Sequence, residues 1–140
     1  MIILSVDYGD VRTGIAICDK SEMLASPVCV IKETYAPKLV DKIHELILKY
    51  NPELVVVGCP VNMDGSKGER AQKCEELSNM IKEKSQIQSA LWDERMTTIE
   101  AHRALNVTNT RGKKRKAVVD EVAATIILQD YLDYRKNNQE

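Results

Sequence analysis

The hydrophobic pattern of this chain changes period at Pro37, and that change constrains the fold more than any other feature. Before it, apolar residues come in short, β-branched runs. Ile2 to Val6 is nearly continuously apolar, as a strand buried on both faces must be, and it stops at Asp7. Gly9 to Arg12 supplies turn residues, Thr13 to Cys18 is a second run, and the stretch around Pro27 to Ile31 is a third. Runs joined by such short links pair as an antiparallel meander. Pro27 predicts an edge position for the third, because proline cannot donate to a ladder. From Pro37 onward, Leu39, Val40, Ile43, Leu46, Ile47 and Tyr50 recur at helical spacing opposite Lys38, Asp41, Lys42, Glu45 and Lys49. That is an amphipathic helix, and Asn51 and Pro52 end it.

The alternation then continues. Leu54 to Val57 reads as a central strand stopping at Gly58, and Ser66 with Glu69 has the spacing of a capping box for a helix turning Ala71, Cys74, Leu77, Met80 and Ile81 inward. A short strand follows around Ser89 to Trp92. Thr97 and Glu100 repeat the capping-box spacing for a short helix to about Leu105, and after a loop from Asn106 to Lys116 a last helix runs from about Ala117 to Arg135. Strands linked through helices are normally parallel, with right-handed crossovers. The order therefore predicts an α/β fold: a mixed five-stranded sheet, three antiparallel strands followed by parallel ones, the first strand central and helices on both faces. A length of 140 residues fits one domain spanning 1–140. Such a chain buries enough surface to fold without metal or disulfide.

Hydrophobic residues at 44% and charged residues at 29% exclude intrinsic disorder as the main state. Twenty basic against 21 acidic residues give a net charge of −1, so the average predicts neither a nucleic-acid nor a membrane partner. The distribution says more. Five of the six residues from Arg111 to Lys116 are basic, a local positive patch formed by Arg111, Lys113, Lys114, Arg115 and Lys116. Cys18, Cys29, Cys59 and Cys74 show no C-x-x-C pairing and lie far from His44 and His102, so no zinc site is indicated. Thiols in or beside apolar runs predict a reducing compartment. With no signal peptide at the amino terminus and no apolar run approaching the ~18 residues of a membrane span, the expectation is a cytoplasmic protein without a membrane partner.

Ligand sites in sheets of this kind collect at the carboxyl ends of the parallel strands. Asp7 closes the first strand, and Asp93 with Glu94 closes the last. A third acid, Asp120, heads a helical stripe of Ala123, Ala124, Ile127, Leu128 and Tyr131, all suited to burial. An acid there is costly unless paired or bound to metal. Each acid alone has an ordinary alternative: turn former at Asp7, partner to a helix amino end at Asp93, Glu94 and Asp120. Together they would repel one another without a cation, and oxygen-only ligands suit a hard divalent ion, Mg2+ or Mn2+. Two such ions about 4 Å apart support in-line phosphoryl displacement, the chemistry of a phosphodiester hydrolase. No Ser/His/Asp or Cys/His constellation competes with this reading. Lys116 precedes Asp120 by about one helical turn, which sets the basic run beside the acids where phosphates must approach. A second candidate cradle runs from Gly58 to Arg70 through Gly65 and Gly68, with Asn62 and Ser66 among its polar residues; it lacks the G-K-[ST] of a Walker loop.

Together these residues resemble the YqgF family, also called RuvX, a bacterial group of ribonuclease H-like proteins described as pre-16S rRNA nucleases or Holliday-junction resolvases. The resemblance rests on D-Y-G-x-x-R-x-G-x-A from Asp7 to Ala16, V-G-C-P-V-N-M-D-G-S from Val57 to Ser66, D-E-R-M-T-T from Asp93 to Thr98, and V-D-E-x-A-A from Val119 to Ala124. Cys18 and Cys59 stand where the family pattern has a serine and a leucine, neither a candidate ligand. The resemblance implies a ribonuclease H-like fold, cytoplasmic location, and metal-dependent nuclease activity in maturing the 5′ end of small-subunit ribosomal RNA. It places Asp7, the Asp93/Glu94 pair and Asp120 at the acidic positions, with Arg12, Arg95 and Lys116 as phosphate contacts. Three alternatives stand beside it. A junction resolvase would use the same chemistry on four-way DNA and need a homodimer, where a ribonuclease can act as a monomer. A non-catalytic RNA-binding assembly factor is disfavoured by the retained acids. An actin-like ATPase would need a second lobe for which the chain has no room. One Trp, five Tyr and no Phe point to recognition of backbone shape more than base stacking.

Overall fold

The computed structural model describes residues 1–59, 68–93 and 113–138, the last segment by its backbone alone at 113–121 and 138. Five strands, β1 (Ile3–Asp7), β2 (Arg12–Cys18), β3 (Ala25–Lys32), β4 (Leu54–Cys59) and β5 (Gln88–Asp93), form one sheet in the order β3-β2-β1-β4-β5. β1 is antiparallel to β2 and parallel to β4, β2 is antiparallel to β3, and β4 is parallel to β5. The first strand is central, as its nearly continuous apolar run predicts, and all five of its residues are buried. Pro27 lies on the edge strand β3, where a missing donor costs nothing, and the pairing with β2 slips there: Ile15 faces Cys29 while Ala16 faces Pro27.

Three described helices cover the sheet: α1 (Ala36–Tyr50), α2 (Glu69–Ser85) and α3 (Lys113–Asn138). Leu39, Val40, Ile43 and Ile47 of α1 and Cys74, Leu77 and Ile81 of α2 pack on Leu4, Val6, Ile15, Val55 and Val57. On the opposite face Ala123, Ala124, Ile127, Leu128 and Leu132 of α3 pack on Ile3, Ala16, Leu54, Val56 and Trp92. Alternate residues of the central strands thus feed two separate cores. α1 ends where the sequence predicts, at Asn51, whose left-handed backbone (φ 54°) lets its N–H bond the Ile47 carbonyl at 2.8 Å.

Two local expectations are corrected. The residue that precedes α2 is Gly68, in extended conformation and without a side-chain cap, and Glu69 opens the helix as its first residue where the expected capping box would make it the third, its carboxylate in the first turn where the helix dipole favours it; Ser66 lies outside the described residues. The predicted loop to Lys116 is also too long. Lys113 to Lys116 are already helical, consistent with the good helix propensity of Lys and Arg. The short helix expected from Thr97 to Leu105 lies outside the described residues.

Candidate active site

β1 fixes the first acid by parity. Ile3 and Ser5 face α3, Leu4 and Val6 face α1 and α2, and Asp7 therefore closes the strand on the α3 side, only 6% exposed. The level of α3 is set by one polar contact: Ser5 Oγ donates to the Ala124 carbonyl at 2.8 Å, inside the core. Its direction is set by a second. The Ala25 N–H donates to Gln129 Oε1 at 2.9 Å, and Ala25 pairs with Cys18, whose sulfur accepts from the Ile3 N–H at 3.3 Å. Moving back along β1 from Ser5 to the level of Ile3 moves forward along α3 from Ala124 to Gln129, so the two elements run antiparallel. From Ser5 to Asp7 is two strand residues, about 6.6 Å. From Ala124 back to Asp120 is four helical residues, about 6 Å. The steps match, and the backbone of Asp120 stands level with Asp7 on the helix stripe that carries the buried Ala123, Ala124 and Ile127.

The parallel strands bring β5 to the same end. Val6 pairs with Val57, and Gly58 with Trp92, so β1, β4 and β5 finish together. Within β5, Ala90 and Trp92 lie on the α3 face, and Trp92 meets the rings of Tyr131 and Tyr134 edge-on at 5.5 and 5.3 Å. Ser89 lies on the other face, its hydroxyl 2.5 Å from that of Ser78 in α2. By the same alternation Asp93, half-buried and paired with Cys59, belongs to the α2 face, opposite Asp7. Glu94, Arg95, Asn62, Ser66 and Arg111 lie outside the described residues. Among the described residues no three His, Cys, Asp or Glu side chains cluster closely enough to hold a metal ion.

The turn after Asp7 is tight. A Cβ on Gly9 would lie 1.9 Å from the Arg12 carbonyl oxygen, so no other residue fits that backbone. The Gly9 N–H points toward Thr13 Oγ1 at 3.4 Å, and Arg12, the first residue of β2, is half-buried with its Nε unpartnered in a dry position. Arg70, the second residue of α2, reaches across: its Nη1 donates to Asp10 Oδ1 at 2.6 Å, its Nη2 to the Tyr8 carbonyl, and its guanidinium sits 4.8 Å over the Tyr8 ring. Sequence reasoning missed both Ser5 and Arg70. Ser5 was legible as the one polar residue in an apolar strand; Arg70 carried no such signal, because its partners are 60 and 62 positions away.

Lys113, Lys114, Arg115 and Lys116 begin α3 with no acid in its first turn. Cations at a helix amino end oppose the dipole, so this run does not serve helix stability. It adds positive charge to an end whose free amide groups already attract anions. Charge shifts elsewhere mark the far end of the helix: the Arg135 hydrogen bond, helped by the Met1 amino group, holds the Glu22 carboxyl below its ordinary range, and the same pair raises Arg135.

The RuvX family model, described as Holliday junction resolvase, matches residues 1–134. A protein of Halothermothrix orenii named as a candidate pre-16S rRNA nuclease is 44% identical over 135 residues, covering 96% of each chain. One of the same name from Caldanaerobacter subterraneus is 42% identical over 140 residues, covering 99% of this chain and all of the relative. Among solved structures, Thermus thermophilus RuvC bound to a Holliday junction superposes with a TM-score of 0.62 at 13% identity, covering 100% of this chain and 98% of that one. At that identity the likeness is one of fold, a ribonuclease H-like sheet with its helices.

Proposed function

We propose, for a chain that belongs to the RuvX family, a divalent-metal-dependent nuclease that processes the 5′ end of precursor 16S ribosomal RNA in the cytoplasm. The enzyme class is common to the family description and to the names of the relatives: the protein is a nuclease, hydrolysing phosphodiester bonds. Ribosomal RNA is favoured as substrate because relatives at 37 to 44% identity over nearly the whole chain share that name. The likeness to the resolvases carries fold alone.

The observation that supports the site is the Ser5–Ala124 contact, which brings the backbone of Asp120 level with Asp7. Asp7, Glu94 and Asp120 form the acidic set. Asp93 is assigned a supporting part, since its parity gives it to the face of α2. The donors are all carboxylate oxygens, and one of them, Asp7, is a buried acid at a strand end, which fits a hard cation such as Mg2+ or Mn2+. When bound, such ions lower the pKa of an attacking water and offset charge on the leaving oxygen.

The chain's own residues do the rest. β1 and α3 hold their acids on rigid elements, so little reorganisation is needed at the moment of reaction. Lys113 to Lys116, one to two turns before Asp120, attract the phosphate backbone and orient it toward the acids, with Arg12 beside the turn as a further cation. Arg95, Arg111, Asn62 and Ser66 complete the substrate path on sequence grounds. A single 140-residue domain acting as a monomer suffices for one cut in RNA.

The test is cleavage of a precursor 16S 5′ leader with Mn2+, against a four-way DNA junction at equal concentration. Specific cutting of the leader by a protein that leaves the junction intact is expected. Loss of a group that merely supports a metal ligand costs about 10 to 100-fold, so Asp7→Asn and Asp120→Asn should each lower the rate by at least about 100-fold. Undiminished cleavage by both variants would defeat the reading.

A further inference from the structure

The most elaborate contact in the described part of the site comes from a residue that is not an acid and does not line the acidic face. Arg70 makes three contacts to the two residues flanking Gly9: a hydrogen bond to the Tyr8 carbonyl, an ion pair with Asp10 at 2.6 Å, and a stacking contact with the Tyr8 ring at 4.8 Å. A planar guanidinium can satisfy carbonyl, carboxylate and ring together; an ammonium cannot. The Asp10 side chain is 77% exposed and that of Arg70 33% exposed, so the ion pair by itself adds little to global stability. What the three contacts share is the segment they hold. Tyr8 follows Asp7 directly, and the Asp7 backbone can rotate only if the Tyr8 carbonyl moves with it. The turn is tight as well, since the space a Cβ on Gly9 would need is taken by the Arg12 carbonyl.

We infer that Arg70 is a positioning residue for the metal-binding acid: by clamping the Tyr8–Asp10 turn to the start of α2 it fixes the direction of the Asp7 carboxylate. The inference rests on the nuclease reading above and deepens it. The clamp also explains why an arginine stands at the beginning of a helix, where a cation opposes the dipole. Because Arg70 is the second residue of α2, it ties the carboxyl end of β1 to the point where the connection from β4 enters that helix.

The experiment compares the parent with Arg70→Met, Arg70→Lys and Asp10→Asn. Mn2+ binding is read by calorimetry, kcat and KM on the RNA leader, and amide hydrogen exchange across residues 8–11 in the metal-free protein. Arg70→Met should weaken Mn2+ binding about tenfold, at the lower edge of the range for groups that orient metal ligands. It should lower kcat with KM within about twofold and speed exchange of the turn amides, while the thermal midpoint stays within a few degrees. Arg70→Lys should fail to rescue, and Asp10→Asn should show a smaller version of the same effects. Unchanged Mn2+ affinity and turn exchange in Arg70→Met would overturn the inference, as would a rise in KM alone, which would make Arg70 a direct phosphate contact. A parent that neither binds Mn2+ nor cuts RNA would instead defeat the nuclease reading.

Discussion

At the scale of single residues, two small residues set the geometry of the proposed site. Ser5 is the one hydroxyl on the α3 face of β1 and spends it on the Ala124 carbonyl. Ser5→Ala should cost about 1 kcal/mol of stability, the usual worth of one such bond, measurable by urea denaturation. It should lower kcat by more than that loss explains, because the polar contact nearest Asp120 is then gone and its level relative to Asp7 is held only by the Gln129 and Arg135 contacts farther along α3. Gly9 is the other. Its Cβ position is already occupied by the Arg12 carbonyl, so Gly9→Ala forces the turn to rebuild. A destabilisation of at least about 2 kcal/mol is expected, in the upper half of the ordinary single-substitution range. That Asp7 ends a buried strand and that Asp120 belongs to the helix carrying the buried stripe were legible in the sequence, because strand ends and apolar helix stripes are local patterns. Ser5 and Arg70 escaped because their meaning depends on partners far along the chain.

At the scale of elements, α3 carries two chemistries at its opposite ends. The basic first turn predicts a salt-dependent interaction: replacing Lys113, Lys114, Arg115 and Lys116 by Ala should weaken RNA binding and lower the slope of log K against log salt by about one for each phosphate left without its cation. The helix itself should not be weakened, since Ala is the better helix former and the cations oppose the dipole. At the other end, Arg135 Nε pairs with Glu22 Oε1 at 2.8 Å, tying α3 to the β2–β3 connection. Because Glu22 is held below its ordinary value in the folded state, its contribution is complete above the ordinary carboxylate range and fades as pH falls through the folded value. Arg135→Met should therefore cost about 1 kcal/mol near neutral pH and almost nothing in strong acid, read from unfolding midpoints under the two conditions. The start of this helix was misjudged from sequence because a run of like charges reads as a solvated loop, although each Lys and Arg favours helix individually.

At the scale of the whole molecule, one sheet separates two cores that share no side chain among the described residues. Both depend on β1, whose odd and even residues belong to different cores. Truncation on either side, Ile43→Ala beneath α1 or Leu128→Ala beneath α3, should cost about 2 to 5 kcal/mol. The two cores should nonetheless melt together. Trp92, the single tryptophan, reports on the α3 side, so its fluorescence and the far-UV circular dichroism should give coincident unfolding curves. The antiparallel meander of β1 to β3, the central place of β1 and the edge place of β3 were all readable from apolar runs and Pro27. The face that Asp93 takes was not, because that depends on the parity of β5, which the packing of Trp92 against Tyr131 and the contact of Ser89 with Ser78 set.

The stripe that α3 lays against the sheet is built from alanines, isoleucine and leucines that resemble one another a turn apart. Such a surface indexes poorly: a helix ratcheted by about 5.4 Å along its axis would still find apolar grooves to sit in. The Ser5 hydroxyl works as a detent that counts turns, favouring the notch in which the backbone of Asp120 stands level with Asp7.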